Sequence, residues 1–185
     1  MKTTEYFQTI VDELTRSAAQ LPDEEAEQLV NKILESKKIF AAGAGRSGFM
    51  AKSFVMRMMH MGLDGYVVGE TVTPSFDKDD LIIIGTGSGE TKSLLSLAEK
   101  AKSIGGTIAA VTISPDSSIA RLADIVIQLP GSPKDKTNDD RTTIQPMGSL
   151  FEQTLLLFFD AVILRFMEKK GLDTTNMYGR HANLE

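Results

Sequence analysis

Asp80-Leu81-Ile82-Ile83-Ile84-Gly85-Thr86-Gly87-Ser88-Gly89-Glu90-Thr91 decides the fold. Leu81 to Ile84 is an unbroken apolar run, the pattern of a strand buried on both faces of a parallel sheet. A loop of glycine and hydroxyl residues ends it, and a helix is predicted from about Thr91 to Ser103. Upstream the same unit recurs. Lys38 to Ala42 reads as a strand, Gly43-Ala44-Gly45-Arg46-Ser47-Gly48 as a glycine loop, and Ser47 to Met61 as a helix. Tyr66 to Val68 is a further strand. Downstream come a strand at Thr107 to Ile113, a short helix near Ser117 to Leu122 and a strand at Ile125 to Leu129. Strands alternating with helices predict an α/β fold, a parallel sheet with helices on both faces.

The flanks differ from this core. Residues 1–36 read as two helices. Phe7, Ile10, Leu14 and Ala18 recur at helical spacing in the first, Leu29 and Ile33 in the second. Pro22 followed by Asp23, Glu24 and Glu25 is a good helix start. Residues 37–129 form the α/β core. Residues 130–147 are polar, carry Pro130, Pro133 and Pro146, and show no period; a loop of this kind is either a lid or binding loop or a tolerated insertion. Within 148–170, Leu150 to Met167 is apolar on nearly every face and must be buried. We expect this helix, with the first, to pack against another subunit. Residues 171–185 form a tail. No internal repeat or low-complexity tract interrupts this single domain.

Bulk properties narrow the function classes. The chain has 185 residues, 42% of them hydrophobic, enough for one domain with a real core. It has no cysteine, which excludes disulfides and thiolate metal sites. Its two histidines, without an H-E-x-x-H motif, do not make a zinc site, so no metal is expected. A net charge of −5 argues against a chain-wide grip on nucleic acid. No charged n-region followed by an apolar run is seen at the start, so a signal peptide is not expected, and the longest apolar stretch, Leu155 to Phe159, is soon broken by Asp160 and Arg165. A soluble cytoplasmic protein is the expectation, with no membrane partner.

The two glycine loops sit at carboxyl ends of predicted parallel strands, where ligands bind in open α/β sheets. Each opens a helix whose free N–H groups attract phosphate. Taken singly, such loops are also tight turns with ordinary serine caps; two on one sheet edge favour a ligand. The first matches the dinucleotide pattern G-x-G-x-x-G, with Glu70 placed as a ribose-binding acid. The second loop, rich in Thr86, Ser88 and Thr91, is a competing phosphate cradle and argues against that reading. It is not a nucleotide P-loop either, because Thr86 and Thr91 stand where that motif requires glycine.

These loops resemble the two substrate loops of the sugar isomerase (SIS) domain. Met147-Gly148-Ser149-Leu150-Phe151-Glu152 resembles the start of that domain's last helix. The closing Met177-Tyr178-Gly179-Arg180-His181-Ala182-Asn183-Leu184-Glu185 is similar to the tail of its 6-phospho-3-hexuloisomerase branch. The resemblance runs over essentially the whole chain. It implies a doubly wound, flavodoxin-like domain with a five-stranded parallel sheet, assembled as a homotetramer or dimer of dimers. It implies interconversion of D-arabino-hex-3-ulose 6-phosphate and fructose 6-phosphate, a step of the ribulose monophosphate route of formaldehyde fixation or detoxification. Hexulose-phosphate synthase is the implied metabolic partner, and no metal or organic cofactor is implied.

Moving a ketone between neighbouring carbons needs a proton taken from one and returned to the other through a cis-enediolate, work for one carboxylate. The resemblance points to Glu152. By local pattern alone, Ser149-x-x-Glu152 before an apolar run reads first as a capping box and only second as a catalytic site. Ser47, Thr86, Ser88 and Thr91, with the amides of Gly87, Gly89 and Glu90, are expected to hold the phosphate. Arg46 either meets the phosphate or a sugar oxygen, or is a solvated loop arginine. His181 is a second catalytic candidate, in its own or a neighbouring subunit's site, against the alternative of an untethered tail. His60, in a Met-rich helix, reads as structural or solvated.

Two relatives in kind compete. An aldose-ketose isomerase of the same domain would carry similar loops. A sugar-phosphate sensor attached to a DNA-binding module is disfavoured, because residues 1–40 hold five basic against eight acidic side chains, a poor phosphate binder.

Overall fold

The computed structural model describes residues 1–132 and 143–181. Much of the 130–147 loop and the last four residues of the tail lie outside the described residues. In chain order the elements are α1 (Thr3–Ala18), α2 (Asp23–Glu35), β1 (Ile39–Gly43), α3 (Arg46–His60), β2 (Gly65–Val67), β3 (Leu81–Thr86), α4 (Lys92–Ile104), β4 (Thr107–Thr112), α5 (Ser118–Leu122), β5 (Ile125–Gln128), α6 (Ser149–Lys170) and α7 (Thr174–Tyr178). The sheet is five-stranded and parallel throughout, in the order β2-β1-β3-β4-β5.

Strand alternation explains the two layers. Side chains of successive strand residues point to opposite faces. Ile39, Ala41, Leu81, Ile83, Ala109, Val111 and Ile127 turn to one face, under α2, α3 and α6. Phe40, Ala42, Ile82, Ile84, Ile108 and Ala110 turn to the other, under α4 and α5. All six β3 residues are buried because both faces are covered.

The last helix packs inside the chain. Phe151, Leu155, Phe158, Phe159, Val162, Ile163 and Phe166 of α6 join the first core, and Phe159 stacks on Phe54 of α3 with ring centroids 4.2 Å apart. Truncating such a buried ring costs about 3–5 kcal/mol. Most of α6 thus finds its cover within its own chain, while Leu157 and Leu164 remain exposed.

The first helix follows its sequence pattern only in part: Ile10 and Leu14 of the apolar stripe are half-buried, and Phe7 and Ala18 are exposed. The buried residues of α1 are Glu13 and Ser17, whereas Tyr6, Phe7 and Val11 are exposed. Its inward face is mixed, with Ile10 and Leu14 beside Glu13 and Ser17, and part of its apolar stripe faces outward.

Candidate active site

Strand order reverses between β1 and β3, and ligands of open α/β sheets bind at such a switch point. Register aligns Gly43 with Gly85, so the two glycine loops leave the sheet side by side. The first loop is drawn tight. A Cβ on Gly43 would stand 2.9 Å from the Ser47 and Gly48 backbone, and one on Gly48 would stand 2.8 Å from the Gly43 carbonyl oxygen. Strand end and helix start therefore touch, and α3 begins directly above the sheet edge.

A cavity of about 390 Å³ opens between the loops. Ser47, Thr86, Gly87, Ser88 and Thr91 line it together with Glu152. Ser132 and Gly148 also line it; Gly148 belongs to the motif that opens the last helix, whereas Ser132 carried no sequence signal beyond its position in the proline-rich loop. Thr91 is the N-cap residue of α4 and makes no side-chain cap bond, so that helix start opens on the cavity. Hydroxyl groups and a helix N-terminus together form an anion cradle.

The second loop holds its own shape. The Gly89 N–H donates to Thr86 Oγ1 at 3.2 Å, and the Glu90 N–H donates to Ser88 Oγ at 3.2 Å. Gly89 adopts φ +68°, and a Cβ there would stand 1.9 Å from Ser117 Oγ. The Glu90 carboxylate turns to α5 and accepts the Ser118 N–H at 2.8 Å. That backbone bond, with one to the Ser118 hydroxyl, lowers its pKa below the ordinary carboxylate value. Gly89 and Glu90 do not line the cavity, and their amides, expected as phosphate donors, are engaged within the loop. Their place is to shape the cradle.

Glu152 stands in the first turn of α6 and is 5% exposed. The alternative read from the local spacing, a capping box, does not form. The N-cap is Gly148, without a side-chain cap bond, and the Ser149 N–H donates instead to the Pro146 carbonyl at 3.2 Å. The carboxylate goes elsewhere: Arg46 Nη1 lies 3.1 Å from Glu152 Oε2 and donates to Ser149 Oγ at 2.9 Å. Arg46, half exposed at the start of α3, therefore ties the first loop to the base of α6.

Behind this wall stands a group with no local motif. Glu13 of α1 is 3% exposed, and its carboxylate accepts from Thr143 Oγ1, from the Ile144 N–H at 2.8 Å and from Gln145 Nε2 at 2.9 Å. Burial raises its pKa, but these hydrogen bonds and nearby Arg16 outweigh it and leave the value lowered. The sequence did hold a signal, a glutamate between Ile10 and Ser17 on the turn-to-turn spacing of one helix face, where a charged side chain is buried only when partnered.

Other candidates are not brought here. His181 packs on the far end of α3, its ring stacked on His60 with centroids 5.4 Å apart. α3 spans 15 residues from Arg46 to His60, about 20 Å. His181 therefore does not reach the cavity of its own chain. His60 is buried, and burial, Arg57 and His181 lower its pKa. Glu70, the ribose hook of the dinucleotide reading, forms a surface ion pair with Lys52 at 2.6 Å. Among the described residues no three of His, Cys, Asp and Glu converge as metal ligands.

Comparison with known proteins follows this geometry. A family model described as SIS domain matches residues 32–159. A Bacillus subtilis protein named 3-hexulose-6-phosphate isomerase is 63% identical over 185 residues, covering 100% of both chains. A Mycobacterium gastri protein of the same name is 37% identical over 182 residues, covering 98% of this chain and 91% of its own. A Methanococcus jannaschii crystal structure, said to infer a function of 3-hexulose-6-phosphate isomerase, superposes with a TM-score of 0.85. It is 36% identical and covers 98% of this chain and 99% of its own.

Proposed function

The chain belongs to the SIS domain family, and on that premise we propose that it interconverts D-arabino-hex-3-ulose 6-phosphate and fructose 6-phosphate. One observation carries the reading: a buried carboxylate, Glu152, shares a cavity of about 390 Å³ with the uncharged cradle of Ser47, Thr86, Ser88 and Thr91.

The residues divide the work. Loop hydroxyls and the α4 N-terminus hold the phosphate, which does not react. Binding energy from that remote group orients the reacting carbons. Glu152 takes the proton from C2 of the 3-ketose, giving a cis-enediolate, and returns it to C3 to give the 2-ketose. A positioned base of this kind contributes about 10²–10⁴-fold. Arg46, already on Glu152, sets the carboxylate's orientation and offers its remaining N–H groups to the enediolate oxygens. Preorganised donors aimed at developing charge commonly supply the largest catalytic contribution.

The reaction places the protein in the ribulose monophosphate route, beside a hexulose-phosphate synthase that supplies its substrate. A homo-oligomer, a tetramer in our reading, is supported by the outward apolar side of α1 (Tyr6, Phe7 and Val11) and by Leu157 and Leu164 of α6. His181 acts, in this assembly, only if it reaches a neighbouring subunit's cavity. No helix among the described residues is long and apolar enough to cross a membrane.

Fructose 6-phosphate followed by NMR tests the reaction. Appearance of the 3-ketose is expected. Turnover confined to C1, through an aldose, would place the protein with the aldose-ketose isomerases instead.

A further inference from the structure

We propose that Glu13 is a positioning residue for the isomerisation, a buried latch that fixes the wall carrying Glu152; the proposal rests on the isomerase reading above. The latch is continuous. Glu13 on α1 holds residues 143–145 through three hydrogen bonds, and Thr143 Oγ1 in turn accepts from the Gln145 N–H at 3.0 Å. Thr143 and Gln145 are themselves buried. Two residues later the chain makes the turn into α6. Pro146 accepts the Ser149 N–H at 3.2 Å, and the Gly148 carbonyl accepts the Glu152 N–H at 2.9 Å.

Between them Met147 holds φ +57°, the one non-glycine residue among those described with positive φ. A non-glycine residue keeps such a conformation only where its flanks over-determine it. Glu13 is the fixed point on one flank; the Arg46 bonds to Ser149 and Glu152 are the fixed points on the other. A carboxylate buried for this purpose costs desolvation and is retained only with its hydrogen bonds complete. Three donors meet that requirement.

The latch touches one wall only. Ser47, Ser88 and Thr91 hang from α3 and the loop before α4, not from residues 143–149. Loosening it therefore misplaces the base first, while the second loop, which carries Thr86, Ser88 and Thr91, keeps its own internal bonds. Small misplacement of a reacting group costs rate steeply.

Glu13→Gln removes one acceptor oxygen and sets an amide against the Gln145 amide. In the double variant Glu13→Gln/Gln145→Glu the amide and carboxylate exchange places and the contact is restored. Steady-state kinetics of the four proteins (wild type, both singles, the double) are measured well below each melting temperature. We expect E13Q to lose kcat by about tenfold or more with KM within about twofold. Q145E, which opposes two carboxylates, loses at least as much, and the double recovers most of kcat. Unchanged kcat in E13Q overturns the proposal, as does a double variant no better than its singles, or a loss carried by KM. A wild type inactive on both sugar phosphates overturns the isomerase reading and this one with it; an active wild type matched by E13Q overturns this one alone.

Discussion

Arg46 Nη1 lies 3.1 Å from Glu152 Oε2, joining the first glycine loop to the first turn of the last helix. The contact replaces the local cap that the Ser149-x-x-Glu152 spacing suggests, and it leaves Glu152 facing the cavity with a cation at its side. The site is therefore built by the sheet's register, which brings both loops together, and by one long-range ion pair that aims the base.

Replacing Arg46 tests that ion pair. Its own side chain is 52% exposed, but Glu152 is buried and loses its partner, so Arg46→Met should lower the melting temperature as well. Removing it strips a donor from Ser149 and from Glu152 and a cation from the enediolate. We expect kcat to fall by about 10²–10³-fold. Arg46→Lys should recover part of this, since an ammonium keeps the charge but not the planar fork. Parallel kinetics and thermal melts of the two variants check both statements.

Gly89 tests the cradle's shape. At φ +68° any side chain is strained, and an added Cβ would overlap Ser117, the N-cap of α5. Gly89→Ala should cost about 1–3 kcal/mol of stability. Because the loop must shift, KM for the sugar phosphate should rise more than kcat falls. Denaturant titration and steady-state kinetics measure the two effects.

His60 gives a pH dependence with a definite sign. Burial first, then Arg57 and His181, lowers its pKa in the folded protein. Below about pH 6.5 the unfolded chain takes up a proton that the folded one resists. Stability should therefore fall as pH drops below that value and be flat above it. His60→Gln should lose that part of the slope. Melting temperatures between pH 5 and 8 for both proteins decide it (range chosen around the ordinary histidine value).

Much of this architecture was legible in the sequence. Leu81 to Ile84 announced a strand covered on both faces, and the glycine loops announced two helix starts at one sheet edge. These signals are local, and nothing in the tertiary structure competes with them. The orientation of α1 was not legible, because periodicity tells which side of a helix is apolar and not what covers it. Phe7 recurs with Ile10 and Leu14 at core spacing, yet stands exposed while Glu13 is buried. The partner of Glu152 was hidden for a related reason. A capping box can be read within four residues, whereas Arg46 is brought to the carboxylate only by the β1 to α3 turn. The place of the tail was not legible either: the docking of His181 beside His60 depends on contacts no local pattern encodes.

The central claim is that Glu152 moves a proton between C2 and C3. Its most direct test is deuterium exchange into fructose 6-phosphate in heavy water, followed by NMR, for wild type and Glu152→Gln. Glutamine keeps the volume and can still accept from Arg46, so the fold is preserved while the base is removed. The account predicts deuterium at C3 with wild type and none above background with the variant. Exchange at C3 by Glu152→Gln at the wild-type rate, or exchange by wild type at C1 alone, would contradict it.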